Sequence, residues 1–398
     1  MSWVRATAIG FVVGLVAILA GPAPAYAHGE QTQEAFLRCS TVLLYDVAFS
    51  DTDVNVGDEV TITGKVRVMN AWPDHTIPAP EIGFLSIIAP GPVFAVRDRQ
   101  LSGAFTPQSV KIHKGQTFPF TVTVVAREEG HWHVHPSFAV EGTGTLVGRG
   151  EWIDVGPGEF DNTAVLPGGD EIDLTTYGTG RVVGWHVIAL VIGIAWLVFW
   201  LRRPVLARLG VVSAGGGGTL TEGRDVKVGL GFVALIAVVL AGGYVYSVST
   251  AASDPMPLQV ARVAPESEPA AEPLVESEVT RAEYVAEAKT LTLTVRVHNT
   301  SGAPVTLSSL QVAEEYLIPE GTKAAGGVPA LRIDAGTVAA GEEKQVTVVV
   351  DAERLIERNL LPLQEPQVRI TGLLFFTDSA GHRQVSEVDE VTSPILPG

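Results

Sequence analysis

The chain has 398 residues, 46% of them hydrophobic and only 18% charged, with a net charge of −17 at neutral pH. That length predicts at least two domains, and the acidic balance excludes a nucleic-acid binder, which needs a basic surface. Cys39 is the single cysteine, which rules out an internal disulfide framework and Cys-rich zinc or iron–sulfur centres.

The first 27 residues read as a leader. Arg5 supplies a basic start, Ala8 to Leu19 form an apolar run, and Pro22 and Pro24 interrupt it before Ala25-Tyr26-Ala27. This small-x-small pattern is what signal peptidases cut, so residues 1–27 are expected to be removed and His28 to open the mature chain. A histidine in that position carries a free amine beside its own imidazole, a pair able to close a chelate ring on a metal.

Residues 28–178 alternate apolar and polar side chains in short runs between Gly and Pro turns. Val60, Ile62, Val66 and Val68 form one such run, and Phe120, Val122 and Val124 another. This period of two predicts an antiparallel β-sandwich with one face in the core and one in water.

Two uncharged apolar stretches follow, at 182–201 and 228–248. Each reaches the roughly 20 residues that a helix needs to cross a bilayer. Trp185, Trp196 and Trp200 lie toward the ends of the first, where amphipathic rings favour the interface. The linker at 202–227 carries Arg202, Arg203, Arg208, Arg224 and Lys227 against Glu222 and Asp225. The positive-inside rule makes that linker cytoplasmic. The chain is therefore expected in the cell membrane, with both β-domains on the extracytoplasmic side. The run Gly215–Gly218 lacks the Lys-Ser/Thr of a phosphate loop and reads as a spacer. Residues 251–275 form a Pro-, Ala- and Glu-rich tether. Alternation returns over 276–398, with Leu291, Leu293, Val295 and Val297 and then Val346, Val348 and Val350, which predicts a second sandwich. The fold class is mainly β with a membrane helical hairpin.

The stretch Glu129-Gly-His-Trp-His-Val-His-Pro136 follows an alternating strand. If the strand continues, His131, His133 and His135 share one face, and residues two apart on it are roughly 6.6 Å from one another. Two imidazoles at that spacing can turn toward one ion. Imidazoles plus a terminal amine make an all-nitrogen set, which suits copper first and zinc second, whereas hard cations prefer carboxylates. Glu30 reads either as a partner to a metal-bound histidine or, the preferred reading, as a solvated charge. His75 and His113 fall in loops or turns, His186 at the start of the first apolar helix, His298 on a polar strand face and His382 in a turn, so none is a candidate ligand. A blue-copper centre needs a cysteine, so the second sandwich is expected to be metal-free.

Several stretches together resemble the B subunit of the copper membrane monooxygenases, the family of particulate methane, ammonia and short-alkane monooxygenases. They are Ala27-His-Gly-Glu30, Asn70-Ala-Trp-Pro73, Ala89-Pro-Gly-Pro-Val-Phe94, Ala126-Arg-Glu-Glu-Gly-His-Trp-His-Val-His-Pro136 and Gly148-Arg-Gly-Glu-Trp-Ile153. The resemblance implies two cupredoxin-like β-sandwich domains joined by two transmembrane helices. It implies copper bound by His28, with its amine, and by His133 and His135. The family pattern has no histidine at the place of His131, and no role is carried onto it. Some members hold a second, two-histidine copper site, but the matching positions here are Leu43 and Arg67, so that site is expected to be missing.

The resemblance further implies two more integral-membrane subunits, assembled as a trimer of heterotrimers, and copper-dependent hydroxylation of methane, ammonia or a short alkane by O2. With no flavin or nicotinamide fingerprint in the sequence, the electrons would come from an external donor such as quinol. Whether oxygen is activated at this copper or in a partner subunit stays open. So do two other readings, a membrane-anchored copper carrier and a structural cap whose copper does not turn over.

Overall fold

The computed structural model describes residues 33–165, 171–216, 222–253, 260–265, 275–323, 326–334, 336–361 and 367–395. The chain divides into two compact units, one running to Phe160 and resuming at Gln259, the other spanning Asp161–Leu258.

The larger unit opens with a short helix, α1 (Ala35–Ser40), and continues into the strands of the first sandwich. These are β1 (Val42–Phe49), β2 (Asp53–Asn55), β3 (Glu59–Val68), β4 (Ile82–Ile88), β5 (Phe94–Leu101), β6 (Ala104–Phe105), β7 (Val110–Lys111), β8 (Thr117–Ala126), β9 (Gly130–Val140), β10 (Gly144–Val147) and β11 (Glu151–Gly156). One sheet has the order β1-β3-β8-β5-β6, and the other β2-β11-β9-β4-β7 with β10 added to β9. The alternating residues fill the space between them. Val60, Ile62, Val66, Val68, Val122 and Val124 are fully buried, with Phe118, Phe138 and Ile153 beside them. Burying such side chains contributes about 1.5–3 kcal/mol each, and this fixes which face of every strand looks outward.

The second domain of this unit uses β14 (Val275–Val285), β15 (Thr290–Asn299), β16 (Val305–Val312), β17 (Glu315–Pro319), β18 (Val328–Asp334), β19 (Thr337–Val338), β20 (Glu343–Asp351), β21 (Val368–Asp378), β22 (Arg383–Thr392) and β23 (Pro394–Ile395). Among the described residues these join into one continuous ten-stranded sheet. The sheet curls on itself, so that Ser277 of β14 bonds Ser386 of β22 at 2.7 Å and Thr392 Oγ1 donates to the Ala282 carbonyl at 2.9 Å. Its interior holds Leu291, Leu293, Val295, Val346, Val348, Val350 and Phe376.

The two domains share a joint. Leu43 and Tyr45 of β1, Met69 and Ala71 after β3, and Leu373 and Phe375 of β21 form one apolar cluster. Around it, Arg67 Nε donates to Glu387 at 2.9 Å, the Asn70 amide to the same carboxylate at 2.9 Å, and Gln311 Nε2 to the Leu44 carbonyl at 2.8 Å. Arg383 pairs with Asp46 across the same joint.

In the smaller unit, β12 (Thr163–Val165) pairs with β13 (Glu171–Asp173). Helices α2 (Thr179–Leu201), α3 (Val205–Ser213) and α4 (Gly223–Ser253) follow. The spans Thr179–Leu201 and Gly223–Ser249 are long and apolar enough to cross a membrane, and their apolar side chains stand exposed all round, as in Leu190, Val191, Val238 and Leu240. Trp196 packs edge-on against Phe232 at 4.8 Å. Where the hairpin turns, Asp225 is clasped by Arg203 Nε at 2.6 Å and Arg208 Nη1 at 2.9 Å.

Candidate metal centre

Strand β9 carries the histidines because its alternation has two jobs. Val134, Phe138 and Val140 face the core, and Val134 and Phe138 are wholly buried. His131, His133 and His135 therefore emerge on the opposite face. The neighbouring strand β11 sets Trp152 opposite His133 and Asp154 opposite His131. Ile153 and Val155 face the core, which turns Trp152 and Asp154 outward to meet the histidines.

His133 and His135 converge. His135 Nε2 lies 3.2 Å from His133 Nδ1, and their rings meet edge to face with centroids 4.4 Å apart. The other nitrogen of His135, Nδ1, lies 2.8 Å from the Gly148 carbonyl oxygen. A carbonyl oxygen only accepts, so Nδ1 carries the hydrogen and Nε2 keeps its lone pair turned toward His133. Metal-binding histidines are usually held by such a bond from the far nitrogen. Two nitrogens bound to one ion, each at about 2 Å, end up about 3 Å apart, so the pair fits two neighbouring ligands of a single ion. Both donors are imidazole nitrogens, the chemistry that suits copper or zinc.

The surroundings hold the rings in place. Gly150 gives His135 its room, since a Cβ at that position would meet the His135 ring at 2.7 Å. The indole of Trp152 stacks on His133 with centroids 4.7 Å apart and on His131 at 4.5 Å. His131 does not turn to the pair; its Nδ1 lies 2.6 Å from Asp154 Oδ1.

Among the described residues no group of three His, Cys, Asp or Glu side chains converges on one point. His28, the expected third contributor, lies outside the described residues, as do Glu30 and the whole predicted leader. The other described histidines have local partners or sit apart. His186 Nδ1 lies 2.8 Å from the Val182 carbonyl, His382 Nδ1 lies 2.9 Å from Asp378, and His298 faces Glu276 at 3.8 Å. Leu43 and Arg67, cross-strand neighbours on β1 and β3, belong to the joint between the domains, one in its apolar cluster and the other on Glu387.

Three residues enter the reading of the sequence only as part of the family resemblance, with no role of their own: Gly148, Gly150 and Trp152. All stand in Gly148-Arg-Gly-Glu-Trp-Ile153, and the alternation of Trp152 with Ile153 and Val155 is the signal that turns the indole outward.

Residues 29–397 match the family model of the monooxygenase B subunit, and the chain belongs to that family. A similar protein is the particulate methane monooxygenase alpha subunit of Methylococcus capsulatus (strain Bath). It is 32% identical over 412 residues, covering 98% of this chain and 97% of that one. Among solved structures, the cupredoxin domain of amoB from Nitrosocaldus yellowstonii aligns with 30% of this chain and 88% of its own at 18% identity, with a TM-score of 0.24.

Proposed function

We propose that this chain is the copper-holding B subunit of a membrane-bound monooxygenase complex, which adds one oxygen atom of O2 to a small substrate such as methane, ammonia or a short alkane. Family membership supports the monooxygenase assignment. The convergence of His133 Nδ1 and His135 Nε2 at 3.2 Å carries the assignment of a metal to this subunit.

In this reading the ligands are His133, His135 and His28, the last through both its imidazole and the amine freed by leader cleavage. Bound by neutral nitrogens, copper supplies a one-electron couple between Cu(I) and Cu(II). The protein's own part is orientation. The Gly148 carbonyl holds the Nδ1 proton of His135, Trp152 fixes the plane of His133, and the buried Val134 between them locks the strand that carries both. Two further integral-membrane subunits complete the complex, in a trimer of heterotrimers, and an external donor such as quinol supplies the electrons. The helical hairpin anchors the chain in the cell membrane, and its Arg-rich turn lies on the cytoplasmic side, leaving both β-domains extracytoplasmic.

Purification in mild detergent through a C-terminal tag tests this reading. Two highly helical membrane proteins are expected to co-purify, in a complex containing copper that His133→Ala with His135→Ala depletes. Recovery of the chain alone, still loaded with copper, points instead to a copper carrier.

A further inference from the structure

His135 is supported on two sides by the segment between β10 and β11, which reads Gly148-Arg149-Gly150. The Gly148 carbonyl accepts from His135 Nδ1 at 2.8 Å, and Gly150 leaves the space that the ring occupies. Glycine frees a backbone more than any other residue, so both supports stand on pliable chain. The Gly148 amide donates to the Pro136 carbonyl at 2.8 Å, which ties the start of the segment to β9. That bond does not aim the Gly148 carbonyl. The carbonyl oxygen shares one rigid plane with the N–H and Cα of Arg149, so its direction follows from where Arg149 stands.

Arg149 is the one residue of the three with a side chain, and that side chain reaches the second domain. Its guanidinium pairs with Glu151 at the start of β11 and lies against Gly326, in the turn before β18. A Cβ at Gly326 would fall on the guanidinium itself, and the φ of +65° there favours glycine. With Gln311, Glu314, Tyr316 and Arg383 of that domain, Arg149 also lines a cavity of about 310 Å³ at the joint. The planar guanidinium suits a flat seat on a bare backbone, which a lysine ammonium does not reproduce.

We infer that Arg149, seated on Gly326, is a positioning residue: by fixing the peptide that carries the Gly148 carbonyl, it keeps His135 Nε2 turned toward His133. Through this contact the second domain supports the metal centre in the first. The inference rests on the copper reading proposed above.

The test uses the full complex and Cu(II) alone as the probe. Copper affinity is measured by chelator competition and nitrogen coupling by electron paramagnetic resonance. The variants are Arg149→Ala, Arg149→Lys, Gly326→Asn, Gly321→Asn and His133→Ala with His135→Ala. Asparagine tolerates a positive φ, but its Cβ at 326 displaces the guanidinium. Gly321, at φ +81° with open space around it, is the control for a substituted turn in the same domain. Arg149→Ala and Gly326→Asn are each expected to bind copper about 10- to 100-fold more weakly, the usual scale for losing an outer support of a ligand, with altered nitrogen coupling. Gly321→Asn should match the parent, and Arg149→Lys, which keeps the Glu151 pair but not the flat seat, should regain only part of the loss. Should Gly326→Asn fail to assemble, the two Arg149 variants carry the test. Parent affinity and spectrum in a folded Arg149→Ala or Gly326→Asn protein, an equal loss in Gly321→Asn, or full recovery in Arg149→Lys overturns the inference alone. Copper that is absent from the unmodified protein, or indifferent to the His133/His135 double variant, overturns the copper reading and this inference with it.

Discussion

Trp152 lies flat against His133, ring centroids 4.7 Å apart, from the position directly opposite on the neighbouring strand. The indole is half exposed, so its packing serves the imidazoles more than the core. Stacked aromatic pairs contribute about 0.5–1.5 kcal/mol beyond buried area. Trp152→Leu should therefore leave thermal unfolding within about 1.5 kcal/mol of the parent while loosening His133. A bound Cu(II) at the pair would quench the adjacent indole, so titration with copper should lower tryptophan fluorescence in the parent, and most of that decrease should vanish in Trp152→Leu.

Gly150 has a steric duty. Its missing side chain leaves space that the His135 ring fills, with a Cβ there only 2.7 Å from ring atoms. Gly150→Ala should push the ring off the Gly148 carbonyl and weaken copper binding about 10- to 100-fold, with the β-sheet circular dichroism unchanged. An alanine variant that binds copper as tightly as the parent would show that the ring position is not critical.

Leu43 and Arg67 test the joint. Leu43 is 1% exposed among Tyr45, Met69, Leu373 and Phe375, and Leu43→Ala should cost about 2–5 kcal/mol, the range for a buried leucine. Arg67→Ala leaves the Glu387 carboxylate, 14% exposed, with only its Asn70 partners and should cost about 1–3 kcal/mol. Denaturant unfolding of the full chain in detergent measures both. Neither variant should alter copper content, because both residues lie in the joint and neither touches the His133–His135 pair.

Cys39 gives a pH-dependent signature. Burial, with Glu314 nearby, pushes its thiol from the ordinary 9.0 up to about 12, against an opposing effect of Arg38. A raised pKa means that the folded state favours the neutral thiol. This contribution to stability is complete below pH 9.0 and is lost as pH rises toward about 12. Iodoacetamide at pH 8 should leave the folded chain unlabelled and label it fully after unfolding, since the thiolate is the reactive form.

Much of this was legible in the sequence, for a local reason. Alternation at Val60, Ile62, Val66 and Val68, and again at Val346, Val348 and Val350, is set by the pleat alone, and each of these side chains is buried. The same period of two put His131, His133 and His135 on one face. What was not legible depends on pairings distant in sequence. The curling of the second domain into one sheet needs β14 to meet β22, more than a hundred residues later. The docking of α1 in the second domain needs Arg38 to find Glu314. Similarly, the division between His133, which turns to His135, and His131, which turns to Asp154, follows from the register of β11 against β9. No spacing within residues 129–136 carries that information.

The most direct test is electron paramagnetic resonance of the purified complex loaded with Cu(II), comparing the parent with His133→Ala and His135→Ala. The parent should show a copper signal coupled to several nitrogens, and each substitution should abolish or sharply alter it while the complex stays assembled. An unchanged copper signal in both variants would contradict a copper centre built on this histidine pair.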